Sequence, residues 1–372
     1  MGKIPYSRAY YWGEDCHHSW FPTDEEFGLL RKQTPAVQQV TAMAGGLSAF
    51  QNGAERVLRT MSGVRLSEST VQRTTEDVGE ILDRAQSQGD PVAPQTEWTW
   101  HCDAEDRTCA YISLDATGVR QQGPHGKKAD GRMAWVLEVF NPVPQPSDPE
   151  KPRPEEPPPQ SQARYAAGLM ELPEAGRRLR ALAESVGFQK AEVVIGLTDG
   201  GNGLAECLET HCLSALSAKT VLILDFYHLS EHLENFAREW LKDTASQAEH
   251  VERWCHMAKH EGGQALLNEL ESLGLKGCPR SVKETYRCLT QYVGNNLYRM
   301  DYPRYEKAGW QIGSGNIESA CKTVINQRLN GGGMRWCERG TNTVSHVRAL
   351  FCSEPTVWEE FWRNRPTYQS SA

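Results

Sequence analysis

The stretch CAYISLDATGV, residues 109–119, decides the fold together with AEVVIGLTDG, residues 191–200. Both are apolar runs that end at glycine, a pattern typical of buried β-strands. A further apolar run, RMAWVLEVF at 132–140, follows the first after a turn-rich connection. Because two such runs around a short connection are typical of a β-hairpin, we expect the first two strands to pair with each other.

Further strands and helices alternate after this hairpin, as they do in sheets with parallel central strands. Three strands, a helix, a strand, a helix, a strand and a late helix give the order of an RNase H-like α/β fold. We therefore expect a mixed five-stranded sheet flanked by helices. The segments concerned are ARYAAGL at 163–169, ELPEAGRRLRALAESVG at 171–187, GLAECLETHCLSALS at 203–217, KTVLILDFYHL at 219–229 and a helix opened by GSGN at 313–316.

The same patterns predict four regions of the chain. Two short helices across SGVRLS, residues 62–67, suggest a DNA-binding helix-turn-helix, and a plain helical bundle is the alternative. Nine prolines among residues 141–160 predict an exposed loop. The regions are an N-terminal helical region at 1–95, a first part of the core at 96–228, an all-helical insertion at 229–312, and the last part of the core with C-terminal helices at 313–372.

The composition is that of a globular protein with an acidic excess. Hydrophobic residues make up 39% and charged residues 24% of the 372, which excludes a disordered chain. No run approaches the roughly 18 apolar residues of a membrane span, and the start lacks the apolar core of a secretory signal. We expect a cytoplasmic protein without a membrane partner, whose 11 cysteines are mostly reduced thiols. The net charge of −8 argues against a DNA partner unless basic residues cluster locally.

Three acidic residues stand where sheet proteins place their ligands. Asp115 and Asp199 end apolar strands, and Glu318 lies on the helix opened by GSGN. An unpaired charge is costly to bury at a strand end, which favours a metal ion or another ligand as compensation. Two Mg²⁺ ions held by three carboxylates clamp the attacking and leaving oxygens of a phosphodiester. Ordinary turn chemistry and helix-end electrostatics are the alternative explanation for these acids.

Four segments, taken in order, resemble bacterial insertion-sequence transposases of the DDE class, in particular the ISKra type, with wider similarity to Mutator-like transposases. The resemblance covers about residues 24–362. It implies an RNase H-like fold with an all-helical insertion before the catalytic glutamate. The segments are ISLDATGV at 112–119, LTDGGNGL at 197–204, LDFYHLSEHL at 224–233 and GSGNIESACKTVINQRLNGGGMRW at 313–336.

The resemblance also implies an activity. Asp115, Asp199 and Glu318 match the catalytic, metal-binding triad, with Mg²⁺ as the cofactor and Mn²⁺ as a substitute. Asp225 and His228 match an Asp-x-x-His element that supports the site or handles the DNA strand. The activity is DNA strand cleavage and strand transfer at transposon ends. The expected partners are terminal inverted repeats, target DNA and further copies of the chain, in the nucleoid of a bacterium.

One departure from the family concerns the N-terminus. Family members carry paired-cysteine, zinc-ribbon-like motifs there, whereas this chain has Cys16 alone near its start and no C-x-x-C pair. A truncated or decayed transposase that binds DNA without catalysing transposition is therefore the alternative function. A third hypothesis, an unrelated enzyme that binds a nucleotide through DGGNG at 199–203, has weaker support because the loop lacks the spacing of known phosphate loops.

Basic residues cluster next to the proposed metal ligands despite the acidic total. Residues 313–352 contain five basic and two acidic side chains, and a second basic group flanks Asp115 on the first hairpin. Phosphates would arrive at these positions, and Trp336 or Trp310 would stack on an unpaired base. A solvated loop with core aromatics is the alternative. The expected DNA contacts are Arg120, Lys127, Lys128, Arg132, Lys322, Arg328, Arg335 and Trp336.

Overall fold

A computed structural model describes residues 3–15, 17–92, 95–142, 162–201, 203–214, 216 and 218–364. Nearly all of the proline-rich loop predicted at 141–160 lies outside the described residues, as does Cys16. The ten cysteines within them are free thiols, in agreement with the sequence. None of the helices in the described part of the chain is long and apolar enough to cross a bilayer.

The centre of the described structure is a mixed sheet of six strands: β3 His101–Cys102, β4 Thr108–Val119, β5 Arg132–Asn141, β6 Gln162–Gly168, β7 Val193–Thr198 and β8 Lys219–Leu224. Five of them follow the order β6-β5-β4-β7-β8, and β3 pairs with β4. The first two long strands pair antiparallel, which confirms the predicted hairpin, and β7 and β8 run parallel to β4. The sheet has six strands rather than five because the two-residue β3 is too short to show a periodic pattern.

Helices cover both faces of this sheet, because the strands alternate apolar residues toward each side. Ala110, Ile112 and Leu114 of β4 pack toward one apolar cluster, and Tyr111 packs toward another. The first cluster is closed by the helix Leu172–Glu184 and by a helical segment that runs from Leu204–Cys207 into Leu208–Leu213. The second is closed by the predicted all-helical insertion, whose helices are Phe226–Trp240, Thr244–Glu261, Gly263–Glu271, Arg280–Asn296, Leu297–Arg299 and Tyr302–Ala308.

Two predicted boundaries are wrong. Residues 219–229 form a strand only to Leu224, because the Asp225 side chain accepts the Tyr227 N–H and starts a helix at Phe226. Asp115 was expected at a strand end but lies inside β4, opposite Val136. The strand continues past Asp115 because β5 pairs with it as far as Val119, whereas the parallel pairing with β7 stops at Ser113.

The N-terminal and C-terminal helices pack on each other. Ser67 caps the long helix Glu68–Gln88 by accepting the Thr70 N–H at 3.2 Å. Gly79 of that helix lies so close to the helix Glu338–Cys352 that a Cβ there would come within 2.2 Å of the Thr343 carbonyl oxygen. Three acidic side chains of the helix Glu68–Gln88, those of Glu76, Asp77 and Glu80, pair with Arg339 of the C-terminal helix. The helix-turn-helix and the plain helical bundle both remain open for this region. The remaining elements are β1 Tyr11–Gly13, β2 His18–Trp20, Pro22–Glu26, Pro35–Leu47, Phe50–Asn52, Gly53–Leu58, Arg59–Ser62, Pro124–Gly126, Phe188–Lys190 and Pro355–Arg363.

Candidate active site at the carboxyl edge of the sheet

The sheet brings Asp115 and Asp199 side by side. The last registered pair between the parallel strands β4 and β7 is Ser113 with Leu197, and each aspartate lies two residues beyond its strand's member of that pair. Adjacent strands are roughly 4.8 Å apart, so Asp115 on β4 and Asp199, the residue directly after β7, are placed close to each other. β8 ends one strand further along the same edge, and Asp225 follows it directly.

Asp115 is half-buried and lies among negative charges. Its Oδ1 accepts the Ala116 N–H at 2.6 Å, and its Oδ2 accepts the Cys321 thiol at 3.6 Å. Burial raises the pKa of Asp115, and the carboxylates of Asp199 and Glu318 raise it further. A carboxylate in this position is disfavoured on its own. A cation bound at this edge of the sheet would reverse that penalty.

A buried arginine of the helical insertion contacts the main chain at Asp199 from the protein interior. Arg299 is 2% exposed and donates to Thr198 Oγ1 at 2.7 Å and to the Asp199 carbonyl oxygen at 3.3 Å. A third hydrogen bond joins it to the Asn296 side chain. The Asp199 carboxylate itself accepts the Gly201 N–H at 2.7 Å. Arg299 thus fixes the end of β7, a role that sequence reasoning missed because Arg299 lies 100 residues away in no recognisable motif.

Glu318 lies on a composite helix, here called the Glu318 helix, that consists of the segments Gly315–Ala320, Cys321–Asn326 and Gln327–Leu329. Its middle segment is a π-helix. Such segments are rare in proteins as a whole but occur often at functional sites. The helix packs on β4 through the Cys321–Asp115 hydrogen bond and through Thr117 Oγ1 and Asn326 Oδ1, 3.1 Å apart. The Glu318 side chain is 49% exposed and lies 3.8 Å from the Lys322 ammonium.

The three predicted ligands lie near one another but are not close enough together to hold a metal ion as they stand. The carboxylates of Asp199 and Glu318 both raise the pKa of Asp115, as expected for three acidic side chains near one edge of the sheet. Yet the described residues contain no group of three histidine, cysteine or carboxylate side chains close enough to hold a metal ion. Two of the predicted ligands, Asp115 and Asp199, are therefore positioned by strands of the sheet, and the third, Glu318, has an exposed side chain.

Asp225 connects the sheet edge to the Glu318 helix. Its side chain is 1% exposed, and its Oδ1 accepts the N–H groups of Tyr227 and Ser314 at 2.9 and 3.2 Å. Its Oδ2 accepts the Ser314 hydroxyl at 2.5 Å. Since Ser314 directly precedes the first residue of the Glu318 helix, Asp225 fastens the start of that helix to the end of β8. Both Asp225 oxygens are engaged, which supports a positioning role.

His228 belongs to an aromatic group on the insertion side of Asp199. Its ring lies 4.9 Å from the ring of His232, which stacks on Tyr292 at 4.1 Å. Burial lowers the pKa of His232. The pKa of Tyr292 is raised by burial and, to a smaller extent, by the negative charge of Asp199. The Tyr292 ring covers Gly200, where an added Cβ would lie 2.0 Å from it. His232 lies in the quoted segment at 224–233 but was given no role there, and Tyr292 lies outside every motif singled out in the sequence.

Most predicted DNA contacts lie on the surface near this edge. Arg120, Lys128 and Arg335 line a groove of about 770 Å³, and Lys127 is exposed beside it. Main-chain hydrogen bonds join the two loops that form the groove. The Gln122 N–H donates to the Trp336 carbonyl oxygen, and the Trp336 N–H donates to the Arg120 carbonyl oxygen. Arg132 is exposed and pairs with Glu338 at 2.9 Å. Lys322 is exposed beside Glu318.

Two predicted DNA contacts are corrected by their burial. Arg328 is 3% exposed, lies 4.8 Å from each of the Phe50 and Trp336 rings, and donates to the Gly45 carbonyl oxygen at 2.8 Å. Burial lowers its pKa to about 10, so it stays charged at neutral pH. Trp336 is 8% exposed and donates to the Leu329 carbonyl oxygen. Both residues, like the buried Trp310, belong to the core, because the polar pattern of a loop does not reveal which side chains fold inward.

The chain matches no family model, no curated protein and no solved structure.

Proposed function

We propose that this chain is a DNA transposase of the DDE class with an RNase H-like core. The observation that carries the proposal is that Asp115 and Asp199 each lie two residues beyond the last registered pair of the neighbouring parallel strands β4 and β7, with the Glu318 helix packed on Asp115. The strand order β6-β5-β4-β7-β8 supports the RNase H-like fold. In chain order these five strands lie third, second, first, fourth and fifth, with the first three antiparallel.

The residues present are suited to Mg²⁺, which prefers oxygen ligands and keeps several waters. Asp115 and Asp199 would hold it, and Glu318 would complete the site. When bound, Mg²⁺ supplies electrostatic stabilisation of the attacking and leaving oxygens of a phosphodiester. The raised pKa of Asp115 fits this assignment, because a cation would stabilise the carboxylate that burial and its neighbours disfavour.

The protein's own groups would then bind and orient DNA. With a divalent cation bound, Glu318 would turn from Lys322 toward the two aspartates, which its half-exposed side chain permits. Lys322 would then be available to a phosphate. Arg120, Lys128 and Arg335 in the neighbouring groove would hold the strand on either side of the scissile bond. Copies of the chain would act together on paired transposon ends.

A cleavage assay tests this proposal. The substrate is DNA carrying the inverted repeats that flank the coding sequence, with Mg²⁺ or Mn²⁺. We expect cation-dependent nicking by the wild type and none by Asp115→Asn, Asp199→Asn or Glu318→Gln. Glu284→Gln, an exposed glutamate of the insertion that pairs with Arg287, is the matched control and should cleave normally. Undiminished cleavage by any of the three site variants contradicts the assignment.

A second candidate, a transposase-derived protein that binds DNA without cutting it, is favoured by one observation. No group of three ligand side chains in the described residues is assembled for a metal, and Glu318 instead lies beside Lys322. Tight binding of the inverted repeats without cleavage at any cation concentration would select this candidate. The nucleotide-binding hypothesis is weakened because the Tyr292 ring covers Gly200, where a phosphate would have to approach the DGGNG loop.

A further inference from the structure

Tyr227 is an exposed aromatic side chain held rigidly at the margin of the candidate site. It is 64% exposed, although it stands between the buried Asp225 and the half-buried His228. One edge of its ring rests on Gly313, where an added Cβ would lie 2.4 Å from Cε2 and 2.5 Å from Cδ2. The ring of Phe226 meets it edge-on at 6.0 Å. The ring is thus fixed on one side and open to solvent on the other.

The position of this ring follows from the contacts of Asp225. The Tyr227 N–H donates to Asp225, which also accepts both donors of Ser314 at the start of the Glu318 helix. Asp225 in turn donates its N–H to the Thr198 carbonyl oxygen, directly before Asp199. Tyr227 therefore stands at the junction between the sheet edge and the Glu318 helix, one strand away from Asp199.

Such a ring contributes little to the core, because most of its surface remains in water. Its function is better explained by a partner that covers the open face. A tyrosine fixed by its own main chain offers a large stacking surface at low entropy cost. Every nucleic-acid base has a π-face, and stacking on an aromatic side chain does not depend on the base sequence. A paired base inside a duplex cannot reach the ring, so the partner must be unpaired.

We propose that Tyr227 is a stacking platform for an unpaired DNA base next to the scissile phosphate. This inference rests on the proposed function and specifies its substrate as DNA that is locally unpaired at the site of cleavage. The ring contributes binding and orientation of one nucleotide. Its hydroxyl has no part in the contact, so phenylalanine should replace tyrosine without loss.

Binding without divalent cations tests the inference with two labelled probes, a short blunt duplex and the same duplex with unpaired tails. We expect the wild type to prefer the tailed probe, and Tyr227→Ala to lose that preference by about 5- to 100-fold. Tyr227→Phe should retain it. An abasic nucleotide moved stepwise along the tail should, at one position, weaken the wild type by the same factor and leave Tyr227→Ala unchanged. Tyr11→Ala, which removes a tyrosine 53% exposed on the N-terminal hairpin, is the matched control and should behave as wild type.

The outcomes separate this inference from the proposed function. A wild type that cleaves DNA but binds both probes equally, or a Tyr227→Ala variant that keeps the preference, overturns the stacking role alone. A wild type that neither binds nor cleaves DNA overturns the proposed function as well. Cooperative urea unfolding of each variant checks its fold, and Tyr227→Leu, which keeps apolar bulk against Gly313, repeats the test if the alanine variant unfolds early.

Discussion

The two halves of the candidate site are built differently. At the sheet edge, Asp199 and Asp225 are fixed by buried donors, namely Arg299 behind the end of β7 and Ser314 across from β8. On the Glu318 helix, the carboxylate is half-exposed and lies beside Lys322. One half is therefore preorganised by hydrogen bonds in the interior, whereas the other is adjustable at the surface.

This difference has an electrostatic reason. Asp115 already has a raised pKa because of burial and of its two acidic neighbours. A third carboxylate turned inward without a cation would raise the repulsion further. Keeping Glu318 beside Lys322 lowers that repulsion, and a divalent cation would reverse the preference. The comparison thus predicts that the fixed half governs stability and that the movable half governs cation dependence.

The largest expected effect is the loss of cleavage when an acidic residue of either half is replaced, and the accompanying change in stability should differ between the halves. Asp115→Asn and Glu318→Gln should each lower cleavage by about a thousandfold or more, because each removes a charge that holds the cation. Their stabilities should differ. Asp115→Asn should raise the free energy of unfolding at neutral pH, since it removes a carboxylate whose ionised form the fold disfavours. Glu318→Gln should leave it nearly unchanged. Urea denaturation at pH 7 checks this, and equal stability changes in the two variants would contradict the comparison.

Arg299 tests the fixed half alone. Arg299→Met should destabilise the chain by about 2–3 kcal/mol, because Thr198, Asn296 and the Asp199 carbonyl lose a buried donor. Cleavage should also fall and need more Mg²⁺ for half-maximal rate, because the end of β7 is no longer held. Arg253→Met, which removes an exposed arginine paired with Glu269, is the control. A stability loss without a change in Mg²⁺ dependence would leave Arg299 a purely structural residue.

Ser314 tests the connection between the halves. Ser314→Ala removes the hydroxyl that donates to Asp225 and should cost about 1–2 kcal/mol of unfolding free energy. The helix start should loosen, so the rate of cleavage at saturating Mg²⁺ should fall more than DNA affinity does. Ser319→Ala, an exposed serine of the same helix, should change neither quantity. Equal behaviour of the two variants would remove Asp225 from its positioning role.

Glu138 tests the interior beneath the site. It is fully buried on β5, where burial raises its pKa to about 8, and its Oε2 has no hydrogen-bond partner. Between the ordinary value of 4.5 and about 8, the folded chain keeps a proton that the unfolded chain has lost. Stability must therefore fall with rising pH across this window, by at most about 1.4 kcal/mol per pH unit. Glu138→Gln should lack this component. If the stabilities of the wild type and Glu138→Gln changed in parallel from pH 5 to 8, the contribution assigned to Glu138 would be contradicted.

The smallest effects concern the exposed basic residues. Lys128→Ala and Arg335→Ala should each reduce the salt dependence of DNA binding by about one unit of slope, with little change in stability. Arg328→Ala should instead destabilise the chain, because it empties the space between Phe50 and Trp336. DNA affinity measured against salt concentration, together with urea unfolding, separates the two classes. A salt-slope change for Arg328→Ala without destabilisation would contradict its assignment to the core.

Much of the architecture could be predicted from the sequence because it depends on local patterns. The hairpin around Asp115, the parallel strands β7 and β8, and the helical insertion follow from apolar periodicity and turn residues. The two-residue β3 gives no such signal. The boundary at Asp225 was missed because the apolar residues on both sides of it read as one continuous strand, while its capping role depends on a main-chain contact.

The candidate site could be predicted only in part. Carboxylates after apolar strands pointed to Asp115 and Asp199, and the strand register brings these two residues together. The supports of the site could not be foreseen, because Arg299 and Ser314 act through tertiary contacts between distant segments. The burial of individual basic side chains could not be predicted either. Arg328 and Arg335 look alike in the sequence, yet Arg328 lies in the core and Arg335 on the surface.

The central claim is that three carboxylates close on a divalent cation, and a crystal soaked in Mn²⁺ tests it most directly. The anomalous signal of manganese identifies the ion without reference to the protein. We predict manganese contacted by Asp115 and Asp199, with the Glu318 carboxylate turned away from Lys322 to join them. A site with no manganese at high Mn²⁺ concentration, and with Glu318 still beside Lys322, would contradict the claim.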